Sequence, residues 1–211
     1  MFIRQIVKRL DETLTSPVGF NTLGEGTEIG LHHTVLSYAD FLRNSFAISM
    51  IYELDRNRDV PAFRKKKFHF EDPFIFHALR SWALGREPYD ETLQYLKKQE
   101  ELGKITESVI ANHLIRLLFS YYPSTQFDYT VLLFYWRSQR KRELDSVLKM
   151  GDHYSPIEVK YQSKVSSENG FSIIDFQKGG KSSKGLLLTK DSLEVKRSYL
   201  KVPVPIFLLL I

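Results

Sequence analysis

One short segment, residues 155–161, constrains the fold more than any other part of the chain. Its apolar and polar residues alternate, which is the pattern of a strand with one apolar and one polar face. Glu158 and Lys160 are two residues apart, so both side chains project from the polar face. The segment therefore predicts a strand that holds an acid and an ammonium group side by side.

A second alternating run lies at 143–148, and Gly151-Asp152 between the two runs is typical of a hairpin turn. Pairing the runs brings Asp145 beside Glu158, so that two carboxylates and the Lys160 ammonium share one cleft. Carboxylate oxygens bind Mg²⁺, the metal lowers the pKa of a bound water, and a cation orients the nucleophile. We expect all three to be catalytic, with both acids holding Mg²⁺ or Mn²⁺. The alternative is a surface salt-bridge cluster across the hairpin.

Asp145 together with Glu158-Val159-Lys160 resembles the D…(D/E)xK signature of the restriction-endonuclease-like, or PD-(D/E)xK, superfamily. In that superfamily a helix bearing a glutamate comes first, then the strands with the signature, then a helix and another strand. The resemblance implies that residues 106–211 form an α/β nuclease-like domain with a central mixed sheet. It also implies a further catalytic residue, Glu107, on a helix for which Thr106 is a reasonable N-cap. The alternative for Glu107 is a favourable interaction with the helix dipole.

The N-terminal part has the element order of a winged helix-turn-helix domain, which we assign to residues 1–85. Asp72-Pro73 then predicts the start of another helix, 74–84, with Asp72 as its N-cap. A charged segment at 86–105 follows as a helical linker. The predicted elements are a helix, a short helix, a third helix and two strands: 2–15, 17–23, 31–44, 48–54 and 67–70.

Direct DNA binding by this domain would use the exposed leading end of the third helix and the basic loop between the strands. The alternative is a module that contacts protein, with a solvated loop. Arg56 and Arg58 belong to the same loop. The predicted DNA contacts are His32, His33, Thr34, Ser37, Arg64, Lys65 and Lys66.

Composition favours an acidic partner. The chain has 30 Lys and Arg against 25 Asp and Glu, a net charge of +5, and it has no cysteine. A basic protein gains affinity for nucleic acid by releasing counterions from phosphates, and the lack of cysteine excludes disulfides and Cys-ligated zinc. The apolar tail 206–211 is too short to span a bilayer and is predicted to be a buried strand. With no signal peptide, we expect a cytoplasmic protein without a membrane partner.

Almost the whole chain resembles the C-terminal half of a family of archaeal and bacterial AAA-type ATPases, in which an ATPase module precedes a winged helix and a restriction-endonuclease-like domain. The chain has no ATPase module, so the resemblance implies a separate ATPase partner or a fragment of a longer product. The matching segments are 34–38, 67–73, the helix of Glu107, 135–137, 143–145, 156–160 and 185–190.

Two classes of function remain open. One is a metal-dependent DNA endonuclease with a winged-helix DNA-binding half. The other is a catalytically silent nucleic-acid-binding or scaffold module of an AAA-type ATPase system.

Overall fold

The structure is a computed structural model that describes residues 2–29, 32–55, 65–180, 182 and 184–211, with Ser167 described by its backbone alone. These residues form two compact units. The first takes in the described residues up to Ile51 and those from Lys65 to Asn112, and the second takes in Tyr52–Asp55 and His113–Ile211.

The first unit begins with three helices and two strands, in the order that the sequence predicts. The elements are α1 (Phe2–Glu12), α2 (Phe20–Gly24), α3 (His32–Asn44), β1 (Ile48–Leu54) and β2 (Lys66–Phe70). β1 and β2 are hydrogen-bonded neighbours, and Val18 forms an antiparallel bridge with Lys66. Ile6, Val7 and Leu10 of α1 recur at helical spacing and are fully buried. These elements are the ones that a winged helix needs, and the assignment to that fold stays a prediction.

Three further helices follow: α4 (Pro73–Leu84), α5 (Pro88–Leu96) and α6 (Gln99–Tyr121). α4 begins as predicted, with Asp72 accepting a hydrogen bond from the Phe74 N–H. The predicted start of α6 at Thr106 is wrong. Thr106 lies two turns inside this helix, where its hydroxyl donates to the Leu102 carbonyl. The segment before Thr106 is rich in strong helix formers, so the helix continues through Gly103 despite the low helix propensity of glycine.

The second unit has a mixed sheet, so the predicted α/β class is confirmed. Its strands are the end of β1, β3 (Leu133–Arg137), β4 (Glu143–Met150), β5 (His153–Lys160), β6 (Gly185–Thr189), β7 (Glu194–Val195) and β8 (Tyr199–Pro203). Within this unit the strand order is β1-β3-β4-β5-β6-β8-β7. β4 is antiparallel to both β3 and β5, whereas β6 is parallel to β5 and to β8. The carboxyl ends of β3, β5, β6 and β8 therefore lie at one edge of the sheet.

Helix α7 (Phe171–Gln177) connects β5 to β6 and packs on one face of this sheet. A 3₁₀ turn, Ser167–Gly170, precedes it, and together the two elements occupy the place of the helix that the resemblance implies after the signature strands. Ile173 and Phe176 of α7 are buried against sheet residues that include Trp136 and Tyr154. This packing holds α7 over β4 and β5, where the predicted site residues lie.

The predicted C-terminal strand is wrong. Tyr199–Pro203 forms β8, and the apolar tail continues as helix α8 (Val204–Leu210). Pro205 suits the first turn of a helix, and leucine is a strong helix former, so the run turns helical once β8 has ended. In the part of the chain that the structure describes, no helix has both the length and the apolarity needed to cross a membrane.

Candidate active site

The register of the β4–β5 hairpin places the two predicted acids opposite each other. Gly151 is the first central residue of a two-residue turn and has a φ of 60°, the conformation that glycine adopts most easily. Pairing extends from Met150 with His153 to Ser146 with Ile157. Asp145 comes one position further along β4, opposite Glu158 on β5. Residues that oppose each other across antiparallel strands have their side chains on the same face, so both carboxylates lie on one side of the sheet.

Each carboxylate is buried and held by the surrounding backbone and side chains. Asp145 is 7% exposed and accepts a 2.8 Å hydrogen bond at Oδ2 from the Val159 N–H. Glu158 is 4% exposed; its Oε2 accepts a hydrogen bond from the Ser172 hydroxyl at 3.0 Å. Its other oxygen, Oε1, lies 2.5 Å from the Lys160 Nζ. The three predicted catalytic residues of the hairpin therefore come together in one cluster.

Burial raises the pKa of Glu158 to about 8, and the negative charge of Asp145 acts in the same direction. The Lys160 ammonium and the Ser172 hydroxyl oppose the increase without cancelling it. Glu158 therefore binds a proton more readily than an exposed glutamate does. A cation placed between the two acids would favour the charged form of both.

The donor set fits a hard divalent cation. Mg²⁺ is usually bound through one or two carboxylates and keeps several of its waters. Asp145 and Glu158 supply two carboxylates on one face of the sheet. The described residues contain no cluster of three or more His, Cys, Asp or Glu side chains arranged to hold a metal.

The sequence profile of a family described as a domain of unknown function, DUF4143, matches residues 102–209, a little more than half of the chain. The chain belongs to the DUF4143 family. This domain is found in AAA-ATPase-associated proteins. The match covers all four predicted catalytic residues. No curated protein matches the chain.

Ser172 also belongs to the cluster of Asp145, Glu158 and Lys160, and the sequence analysis does not predict it. It lies in the first turn of α7 and is 6% exposed, with its hydroxyl directed at Glu158. A serine near the start of the predicted helix after the Glu158 strand was the available signal. Only the path of the chain between β5 and α7 shows that this serine reaches the carboxylate.

Glu107, the fourth predicted catalytic residue of the DUF4143 segment, lies in α6 within the first unit. Its Oε1 forms a 2.9 Å ion pair with the Nζ of Lys67, whose side chain is only 1% exposed. Two other α6 residues make polar contacts with β2 beside this ion pair. Ser108 lies 3.4 Å from the buried His69 ring, and Asn112 donates a 2.7 Å hydrogen bond to the Phe70 carbonyl. Glu107 thus has a structural role in holding α6 against β2.

The predicted DNA contacts of the first unit differ in their exposure. His32, His33 and Ser37 are exposed at the leading end of α3, and Thr34 is half-buried. Lys65 is exposed too. Arg56, Arg58 and Arg64, with most of the predicted basic loop, lie outside the described residues.

Lys66 lies in a different environment from the exposed loop position expected for it. It is the first residue of β2, is only 6% exposed, and its ammonium group lies 4.7 Å from the centre of the Phe20 ring. Burial lowers its pKa. The alternation of β2 and the bridge to Val18 turn this side chain towards α2, so it contributes to packing in the first unit.

Proposed function

We propose that this chain is a metal-dependent nuclease of the PD-(D/E)xK type that hydrolyses phosphodiester bonds in DNA. The observation that carries the proposal is the juxtaposition of Asp145 and Glu158 on one face of the β4–β5 hairpin, with Lys160 in contact with Glu158. Two carboxylates and an ammonium group are the set that metal-assisted phosphodiester hydrolysis needs. The position of the cluster at the carboxyl ends of parallel strands also supports the proposal, because ligands of open α/β sheets bind at that edge.

In this scheme Asp145 and Glu158 hold Mg²⁺ or Mn²⁺. When bound, the ion supplies Lewis acidity, which lowers the pKa of the attacking water and offsets charge on the phosphate. The Val159 N–H keeps Asp145 in its orientation, and Ser172 does the same for Glu158. Lys160 is the most exposed member, with a third of its side chain accessible, so its ammonium group can leave Glu158 and orient the attacking water.

The test is DNA cleavage by the full chain with Mg²⁺ or Mn²⁺, compared with the Asp145→Asn and Glu158→Gln variants. Both variants are expected to lose cleavage by a factor of about 10² or more, because each removes one ligand of the metal. Both should still bind DNA, since they remove negative charge near the phosphates. Glu168→Gln, an exposed acid in the 3₁₀ turn before α7, is the charge-matched control and is expected to cleave like the wild type. Wild-type protein that binds DNA and never cleaves it with either metal would rule out the proposal.

A second candidate is a catalytically silent module that binds nucleic acid or acts as a scaffold in an AAA-type ATPase system. Lys160 forms a direct ion pair with Glu158, and both acids are buried. These contacts favour the second candidate, because a cluster whose charges are paired within the protein can stabilise the fold without binding a metal. Membership in a family found in AAA-ATPase-associated proteins supports an ATPase partner in either case. Metal binding separates the two candidates. A nuclease requires Mg²⁺ or Mn²⁺ to bind in a manner that Asp145→Asn abolishes, whereas a silent cluster does not.

In both candidates we propose that the first unit contributes DNA binding as a winged helix. The exposed His32, His33 and Ser37 at the leading end of α3 support this role, together with the half-buried Thr34. The exposed Lys65 before β2 supports a contact with the phosphate backbone.

A further inference from the structure

The connection between β3 and β4 is a tight turn with a defined backbone. The Ser138 carbonyl oxygen accepts a 3.0 Å hydrogen bond from the Lys141 N–H, and the Ser138 N–H donates a 2.8 Å hydrogen bond to the Arg142 carbonyl oxygen. Gln139 and Arg140 are therefore the central residues of a β-turn, and Lys141 follows them with a φ of 60°. All three side chains are exposed. The tip of the turn thus presents two cations to solvent.

The backbone conformation of Lys141 is costly for a lysine. The residue that follows the two central residues of such a turn is left-handed, and glycine or asparagine adopts that conformation more easily than lysine does. Residues held in sparsely populated backbone conformations cluster at functional sites. Folding stability alone therefore favours a different residue at position 141, and the positive charge of the lysine offers a reason for its presence.

The positive charge around the turn exceeds the negative charge paired with it. Glu143 lies 3.8 Å from Arg137, and Asp175 contacts Arg142 at 2.6 Å and Lys178 at 2.8 Å. Among the described residues, the two cations at the tip of the turn have no ion-pair partner. Five cations against these two acids leave an excess of three positive charges. The basic surface consists of Arg137, Arg140, Lys141, Arg142 and Lys178.

Helix α7 connects the basic surface with the carboxylate cluster. The Arg142 guanidinium group lies 5.1 Å from the centre of the Phe171 ring at the start of α7. The next residue, Ser172, donates the hydrogen bond to Glu158. From Phe171 to Lys178 the helix rises about 10 Å, and the phosphates of one strand follow each other about every 3.4 Å along a DNA duplex. A strand that leaves the cluster along α7 therefore has about three phosphates within reach of the basic surface.

We propose that the basic surface binds the phosphate backbone of duplex DNA beside the scissile bond, with Arg140 and Lys141 as the principal contacts. Cations of this kind bind phosphate oxygens through charge-assisted hydrogen bonds and release counterions from the DNA. The adjoining cluster favours DNA over an acidic protein as the partner, because the cluster is suited to a phosphodiester and an acidic protein has none. This inference rests on the proposed function, because it takes DNA as the substrate. It adds that the second unit holds the DNA itself, through the backbone and without contacts to bases.

The experiment measures binding of the full chain to a short fluorescein-labelled blunt duplex in EDTA, by fluorescence anisotropy at several salt concentrations. Arg140→Gln is expected to reduce the slope of log affinity against log salt by about 0.9, because one phosphate contact is lost. The same dependence predicts that binding weakens about five- to tenfold at about 0.1 M salt.

Lys141→Asn gives an independent readout. It removes the charge, and asparagine tolerates the left-handed conformation better than lysine does. We expect a loss of affinity like that of Arg140→Gln, together with an unchanged or higher thermal unfolding midpoint. A lysine with only a structural role would give a lower midpoint and an unchanged affinity for DNA, and that result would overturn the inference.

Arg197→Gln is the matched control. Arg197 is an exposed arginine of the same unit that lies just before β8, at the amino ends of the parallel strands and so at the opposite edge of the sheet. Its loss is expected to leave both the affinity and the salt slope at the wild-type values. Equal slopes for the Arg140 and Arg197 variants, or no binding of the duplex by the wild type, would overturn the inference.

Cleavage with Mg²⁺ or Mn²⁺ is measured separately, so the two proposals can fail independently. A protein that binds DNA through Arg140 and Lys141 in EDTA but never cleaves it would support the basic surface and reject the nuclease. Cleavage by a protein whose affinity for DNA is unchanged by Arg140→Gln would reject the basic surface alone.

Discussion

At the scale of single residues, the pKa of Glu158 is set by competing interactions. Burial and the Asp145 charge raise its pKa to about 8 from an ordinary value of 4.5, against the pull of Lys160. A carboxyl group with a higher pKa in the folded state binds its proton more tightly when the protein is folded. This group therefore lowers the free energy of unfolding as the pH rises from about 4.5 to about 8, and it has no further effect above that window.

The metal-free protein is therefore expected to lose stability with rising pH through this window more steeply than its Glu158→Gln variant. The difference in slope is up to about 1.4 kcal/mol per pH unit, since one proton is released on unfolding. Urea unfolding in EDTA at several pH values measures it. Glu168→Gln is the control and should retain the wild-type slope. Parallel profiles for the wild type and Glu158→Gln would show that Glu158 is charged throughout this range.

A second prediction concerns Glu107, which pairs with the buried Lys67. Measurements of stability and of DNA cleavage can test its structural role apart from a catalytic one. Glu107→Gln is expected to reduce the free energy of unfolding by about 3 kcal/mol, since it removes a partner of a buried cation. The double variant Lys67→Met/Glu107→Leu should recover much of that loss, because apolar side chains of similar volume can replace a buried pair. Chemical denaturation measures both effects. If the double variant folds and DNA cleavage is still lost, Glu107 has a catalytic role as well.

The hairpin cluster was accessible to sequence reasoning because its geometry is local. Asp145 and Glu158 meet through strand alternation and a two-residue turn, both of which are visible within about twenty residues of sequence. Ser172 reaches Glu158 through the connection from β5 to α7, and Lys66 is buried by the bridge to Val18. Such contacts depend on how elements pack, and a pattern along one strand or helix does not encode them.

At the scale of elements, the close approach of α7 to β6 depends on Gly185. A Cβ at this position would overlap the Cγ2 atom of Ile173 and lie 3.1 Å from the Pro156 carbonyl oxygen. Gly185→Ala is therefore expected to destabilise the protein by about 1–3 kcal/mol, since α7 has to shift away from the sheet. The thermal unfolding midpoint is the measurement.

Gly103→Ala is the opposite control for this prediction. Gly103 lies inside α6, and an added Cβ would meet no atom within 4 Å. The change should raise stability by about 0.5–1 kcal/mol, because alanine loses less conformational entropy than glycine in a helix. A neutral Gly185→Ala would mean that the contact between α7 and β6 can relax without loss.

Elements with strong end signals were predicted well, and those without them were not. Asp72-Pro73 at the start of α4 and Gly151 in the hairpin mark their positions through backbone chemistry. The start of α6 and the helix α8 lacked such signals. Thr106 resembles an N-cap although the helix begins earlier, and the tail 206–211 is apolar in a manner that both a buried strand and a helix satisfy.

At the scale of the whole molecule, the net charge of +5 favours association with a polyanion such as DNA, and the salt dependence of such a complex reports how many phosphates the protein contacts. Lys65→Gln is expected to weaken binding about equally for all sequences and to reduce the slope of log affinity against log salt by about 1, if this exposed lysine contacts a phosphate. Lys8→Gln removes the same charge from an exposed position on α1 and is the control. Equal slopes for the two variants would assign the segment before β2 to something other than DNA.

The register of the β4–β5 hairpin fixes both the pairing of Asp145 with Glu158 and the packing of the core beside them. A slip of β4 by one residue would turn Asp145 away from Glu158, but it would at the same time expel Val147 from the core, because Val147 lies on the same face of β4 as Asp145 and is buried there. Misalignment of the acids is therefore coupled to failure of packing. Errors in this part of the chain are expected to be cleared as unfolded protein, and the molecules that persist in a folded population have their carboxylates aligned.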